Sequence, residues 1–253
     1  MRAGVEVLPT AAALAGAAAE LVAGAAARAI DADGRFVMAL SGGSTPRATF
    51  EQLAREPLAS HVQWSRVQVI WGDERCVPPG DAESNYRMAR ETLLDHVPVP
   101  AANIHRIRGE DDPASAAESY ERELRTLLRT PEGAPSLESG RRIDLALLGL
   151  GDNGHTASIF PHSRALDEHE RWAMAECVDA SPPWRVTLTA PLLDAAASVL
   201  FLVSGAGKAE VLKEVVEGPP RPRELPAQLI VPVSGSLRWL VDAAAAAKLG
   251  ATP

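Results

Sequence analysis

Cysteine is almost missing from this chain: two in 253 residues, Cys76 and Cys177, far apart and in no paired spacing. That excludes a disulfide framework and a cysteine-built zinc site, and it suits a reducing cytoplasm, where the protein is expected to reside. Positive charge is also in deficit. Against 33 Asp and Glu there are 25 Lys and Arg, a net charge of −8, so the broad basic footprint of a nucleic-acid binder is lacking. No continuous, strongly apolar run approaches the ~18 residues of a membrane span. The nearest candidate, Ala11 to Ala29, is alanine-rich but broken by Glu20 and Arg28, and reads as an amphipathic helix rather than a leader. Beyond that alanine bias there is no repeat or low-complexity tract. Neither nucleic acid nor membrane is expected as a partner.

What is present is a recurring alternation of short apolar runs and helical patterns, with 46% hydrophobic residues to fill a core. The runs Val5–Leu8, Phe36–Leu40, Val67–Trp71, Ile143–Leu148 and Val199–Val203 read as buried strands. Ile104–Ile107, Trp172–Val178, Arg185–Thr189 and Leu229–Val231 are shorter strand candidates, the third alternating so that one side should be buried. Helical spacing covers the alanine-rich segment after Thr10, residues up to Leu53, Asn85–His96, Pro113–Leu128, the stretch after Lys208, and Leu237–Lys248. Opposite charges four apart, Glu118 with Arg122 and Glu121 with Arg125, support the fourth of these. Thr130–Arg142 reads as a surface loop, and Pro219–Pro226 as another. The alternation predicts one α/β domain over residues 1–253, a doubly wound, mostly parallel sheet with helices on both faces.

The chemistry-bearing residues fall where those strands stop, the edge at which such sheets bind ligands. Phe36–Leu40 runs into Ser41-Gly42-Gly43-Ser44-Thr45-Pro46 and then a helix, a loop that offers amides and hydroxyls to an anion. It lacks the Gly-Lys-Ser/Thr ending of a nucleotide P-loop. Val67–Trp71 ends in Gly72-Asp73-Glu74-Arg75. The strand at Ile143–Leu148 ends in Gly149-Leu150-Gly151-Asp152-Asn153-Gly154-His155, which delivers a candidate acid or base. Gly149-x-Gly151-x-x-Gly154 matches a dinucleotide fingerprint, but Pro161 follows too soon for a long phosphate-capping helix. Lys208, placed near a helix start where it repels the dipole, implies a compensating anion. Anion loop, arginine, lysine and histidine together point to acid–base chemistry on a small phosphorylated molecule.

Leu40–Pro46, Trp71–Arg75, Glu83-Ser84-Asn85-Tyr86, Gly149–Pro161, Arg185–Thr189, Ser204-Gly205-x-x-Lys208 and Trp239–Ala244, in this order, resemble the 6-phosphogluconolactonases, which share a sugar-phosphate isomerase-type, Rossmann-like fold with the glucosamine-6-phosphate deaminases. The resemblance implies hydrolysis of 6-phosphoglucono-δ-lactone to 6-phosphogluconate in the oxidative pentose phosphate pathway, without metal or cofactor. It implies His155 as the base that activates water and Asp73 as an orienting carboxylate. It places the phosphate on Gly42, Gly43, Ser44 and Thr45, with Arg75, Arg185 and Lys208 as cations and Asn153 and Gly154 as further substrate contacts. A monomer is expected. One departure stands out: the family usually has Asp before its Gly-His pair, where this chain has Asn153. The rivals are a glucosamine-6-phosphate deaminase or isomerase, and a sugar-phosphate-binding protein without turnover. Arg75 and the Ala157-Ser158-Ile159-Phe160 continuation argue against the deaminase, whose relatives carry Asp-Glu-Tyr and Ala-Phe-Asn-Glu there.

Overall fold

The computed structural model describes residues 4–128 and 142–250. Its strands are β1 Gly4–Leu8, β2 Phe36–Leu40, β3 Val67–Trp71, β4 Asp73–Arg75, β5 Leu145–Leu148, β6 Ala173–Cys177, β7 Trp184–Leu188, β8 Ser198–Val203 and β9 Ser236–Asp242. The helices are α1 Ala11–Asp33, α2 Ser44–Leu53, α3 Leu58–His61, α4 Asn85–Ala89, α5 Pro113–Leu127, α6 Ala190–Asp194 and α7 Ala209–Glu217.

Six strands form a parallel sheet in the order β1-β9-β8-β5-β2-β3. From β2 the chain winds outward to β3. It then crosses to β5 and winds the other way through β8 to β9. The switch therefore lies between β2 and β5, paired through Met38–Leu145 and Ala39–Ala146, and such a switch leaves a crevice beyond the strand ends. Both strands are buried at every position, as their unbroken apolar sequences require. The edge strand β3 is secured by Tyr120 of α5, whose hydroxyl accepts from the Trp71 amide at 2.8 Å and donates to the Trp71 carbonyl at 2.9 Å.

A second, antiparallel sheet, β4-β7-β6, sits at the same end. Gly72 alone separates β3 from β4, and its carbonyl accepts from Leu188 at 2.8 Å to join the sheets.

By length and composition α1 could cross a membrane. In the fold its stripe Leu14, Ala15, Ala18, Ala19, Val22, Ala26 and Ile30 is buried at helical spacing, and it packs on α2 and β9. Thr10 caps it by accepting from the Ala13 amide at 3.1 Å, and Gly34 ends it at φ +73°.

Several sequence expectations are corrected. Leu237–Lys248 is not a helix: Ser236–Asp242 is strand β9, inserted between β1 and β8, and only Ala245–Lys248 turns, as a 3₁₀ segment. Leu229–Val231 is not a strand, because Pro226–Leu229 is a 3₁₀ turn. Ile104–Ile107 makes one isolated bridge, Ile104 to Val69, in place of a strand. Asn85–His96 splits into α4 and a π turn, Arg90–Leu94. Arg185–Thr189 is buried throughout rather than on one side. In α5 the Glu121–Arg125 pair forms, whereas Arg122 donates to Ser119. The expected Thr130–Arg142 loop lies, but for Arg142, outside the described residues.

Candidate active site

A cleft of about 360 Å³ opens at the switch between β2 and β5, walled by their following loops and by β4 and β7. The loop after β2 contributes Ser41, Gly42 and Gly43. Gly43 stands at φ +101° at the start of α2, and no side chain caps that helix. The positive dipole end of α2 thus stands beside the cleft with no side-chain cap among the described residues, an arrangement suited to an anion. Ser44 and Thr45 form the first turn of α2 and do not line the cavity itself.

The triplet after Gly72 is no solvated loop. Asp73 and Glu74 are buried, and the triplet divides its work by strand alternation. Asp73 and Arg75 line the cleft. Glu74 turns away and accepts the amides of Arg75, Asn85 and Tyr86 at 2.8, 2.7 and 2.8 Å and the Ser84 hydroxyl at 3.0 Å. Burial nonetheless pushes its pKa up, against the effect of those donors. Asp73 is held from both sides: Ser158 Oγ donates to Oδ2 at 2.6 Å, and Asn85 Nδ2 approaches Oδ1 at 3.3 Å.

Arg75 and Arg185 are direct cross-strand partners in β4 and β7, and both line the cleft. Like charges so paired repel, a cost that a bound anion would remove. Arg75 Nη1 donates to the Glu83 carbonyl at 2.7 Å, and Arg185 donates to the carbonyls of Pro182 and Trp184. Burial first, then the Arg75 charge, lowers the Arg185 pKa.

His155 is placed by its own loop. Its Nδ1 lies 2.6 Å from Asn153 Oδ1, and its backbone amide points to the same oxygen at 3.3 Å. An amide oxygen only accepts, so Nδ1 carries the proton and Nε2 keeps its lone pair. The ring stacks on Phe160, with centroids 4.1 Å apart. Gly151 leaves it room, since a Cβ there would stand 2.0 Å from the imidazole. Gly154, at φ +79°, turns the loop against Leu225, whose Cδ2 would lie 2.6 Å from a Cβ. Ala157 follows at φ +46°, a left-handed conformation uncommon outside glycine, and the turn it makes brings Ser158 to Asp73. Burial lowers the His155 pKa. The negative charge of Asp73 works against that, and Lys208 works with it.

Lys208 reaches the rim but not the wall: it is ion-paired with exposed Asp152, one side of the His155 loop. Of the sequence-predicted residues, then, Gly42, Gly43, Asp73, Arg75, His155 and Arg185 meet in one cleft, with Asn153 and Gly154 shaping the loop beneath His155. Sequence reasoning missed Asn85, Ser158 and Phe160 as lining residues. Asn85 opens the helical spacing of Asn85–His96, and only the fold shows that its side chain faces Asp73.

The whole described architecture agrees with known proteins. A family model described as "Glucosamine-6-phosphate isomerases/6-phosphogluconolactonase" matches residues 9–239. A 6-phosphogluconolactonase of Nostoc sp. is 41% identical over 98% of this chain and 99% of its own. The solved 6-phosphogluconolactonase of Trypanosoma cruzi superposes with a TM-score of 0.85 at 29% identity, over 98% of this chain and 97% of that one. A monomeric glucosamine-6-phosphate deaminase, at 20% identity over 97% of this chain and 99% of its own, shares the fold with a TM-score of 0.79.

Proposed function

The chain belongs to the glucosamine-6-phosphate isomerase/6-phosphogluconolactonase family, and on that premise we propose that it hydrolyses 6-phosphoglucono-δ-lactone to 6-phosphogluconate, a step of the oxidative pentose phosphate pathway. The observation that carries the reading is His155: one ring nitrogen is spent on Asn153, and the other is left as a base in a cleft that also holds two opposed arginines.

The reaction needs one proton moved twice. His155 Nε2 takes a proton from water while the water oxygen bonds to the lactone carbonyl carbon, whose oxygen becomes an anion. Collapse of that adduct breaks the ring C–O bond, and the imidazolium returns its proton to the departing ring oxygen. The acid formed then ionises. A lowered His155 pKa keeps the base free at neutral pH, and Asp73 supplies negative charge when the ring becomes cationic. The phosphate is assigned to the Gly42-Gly43 loop that leads into α2 and to the guanidiniums of Arg75 and Arg185. Lys208 joins them by exchanging Asp152 for the substrate.

The test is lactone disappearance, corrected for spontaneous hydrolysis, beside ammonia release from glucosamine 6-phosphate. Enzyme-dependent lactone loss without ammonia supports the reading. Ammonia release without lactone loss would replace it with the deaminase, and binding without either reaction would replace it with a sensor.

A further inference from the structure

Asn85 has a hydrogen-bonding group that no donor among the described residues uses. It begins α4, is buried, and lines the cleft beside both Gly42 and Asp73. Its backbone amide is taken by Glu74. Its side-chain Nδ2 donates to the Asp73 carbonyl at 2.9 Å and lies 3.3 Å from Asp73 Oδ1. Both partners accept only, so the orientation of the amide is determined: nitrogen toward Asp73, oxygen the other way. That oxygen lies over Gly42, where a Cβ on residue 42 would come within 2.0 Å of it. Among the described residues no donor reaches Oδ1, and it is not among the sealed polar atoms of the interior.

We infer that Asn85 determines specificity by accepting, through Oδ1, a hydrogen bond from a ring hydroxyl of the sugar lactone. The inference rests on the lactonase reading. Its ground is the division of the cleft. Arg75 and Arg185 form a cationic wall suited to phosphate, whereas an amide oxygen repels an anion and suits a hydroxyl. Asp73 beside it is already engaged on both oxygens, by Ser158 and by Asn85 itself. Asn85 Oδ1, with no donor among the described residues, is thus a neutral acceptor open to the cleft beside Asp73. Glycine at position 42 is then required for a second reason besides its amide, because any side chain would displace the acceptor. A substrate lacking the matching hydroxyl leaves Oδ1 desolvated and unpaired, which is how a polar site rejects an analogue.

The experiment compares kcat/KM for the parent phosphorylated lactone with analogues lacking one ring hydroxyl at a time, in the native enzyme and in Asn85→Ala. Native turnover of the parent establishes the lactonase reading independently; its absence would remove that reading, whatever Asn85 does. Given turnover, Asn85→Ala should reduce parent kcat/KM by roughly ten- to a hundredfold. For one analogue the penalty of the missing hydroxyl should collapse to near unity while the other penalties persist. Freeing Asp73 lowers all substrates together and cancels in these ratios. If every penalty is the same in the variant as in the native enzyme, the inference is overturned. Gly42→Ala is the second variant, for use if Asn85→Ala does not fold. Its methyl group displaces Oδ1 without altering the residue at 85, and it should give the same selective collapse.

Discussion

At the scale of single residues, the proposed base has a neutral partner. Asn153 fixes the tautomer and direction of His155 as a carboxylate would, but brings no charge to the imidazolium. Burial lowers the His155 pKa, so the unprotonated form persists to pH values below the ordinary histidine value of ~6.5. The rate should therefore rise with pH through an acid limb lying below that value and level off above it. Asn153→Asp places a negative charge against Nδ1, favours the protonated ring, and should move the limb upward. Profiles of kcat/KM against pH for both proteins check this; an unmoved limb would mean that the limb belongs to another group. His155 and its glycines were legible as chemistry in the sequence, because an apolar strand ended abruptly in them. Asn85 and Ser158 were not. Each is a small polar residue whose role is set by Asp73, which is 12 residues from one and 85 from the other.

At the scale of elements, the β4–α4 corner depends on one buried carboxylate. Glu74→Ala would leave three backbone amides and a hydroxyl without their acceptor. A loss of about 2–5 kcal/mol is expected from denaturant unfolding, at ~1–3 kcal/mol per orphaned buried group with some recovered by water. A loss below about 1 kcal/mol would show that α4 is held by other means. The His155 loop gives a second case. Gly154→Ala meets Leu225 and a left-handed backbone, the latter alone worth roughly 1–2 kcal/mol. That should lower Tm by at least about 2–8 °C at this chain length, and activity with it. An unchanged Tm would mean that the loop adjusts freely. The strands that build the main sheet were readable wherever burial on both faces made the sequence continuously apolar, as in β2, β3, β5 and β8. β9 was not, because Ser236-Leu237-Arg238-Trp239 is half polar and the alanines after Asp242 have strong helix propensity. The second sheet was hidden by β4, three polar residues whose strand character comes only from pairing with β7.

At the scale of the molecule, a chain of net charge −8 places two facing arginines, Arg75 and Arg185, where the sheet changes direction. Binding of the phosphorylated product should then stabilise the fold. At a hundred times Kd the gain is ~2.7 kcal/mol, a rise in Tm of roughly 5–10 °C. Gluconate without the phosphate should give a much smaller shift, and an equal shift from both would remove the phosphate from Arg75, Arg185 and the start of α2. The central claim, that His155 is the base of a lactone hydrolase, is tested most directly by the background-corrected rate of 6-phosphogluconolactone hydrolysis in His155→Ala. Its kcat should fall by about 10²–10⁴ while the product still raises Tm as it does in the native protein. A kcat within about threefold of the native value, in a variant that binds product normally, would contradict it.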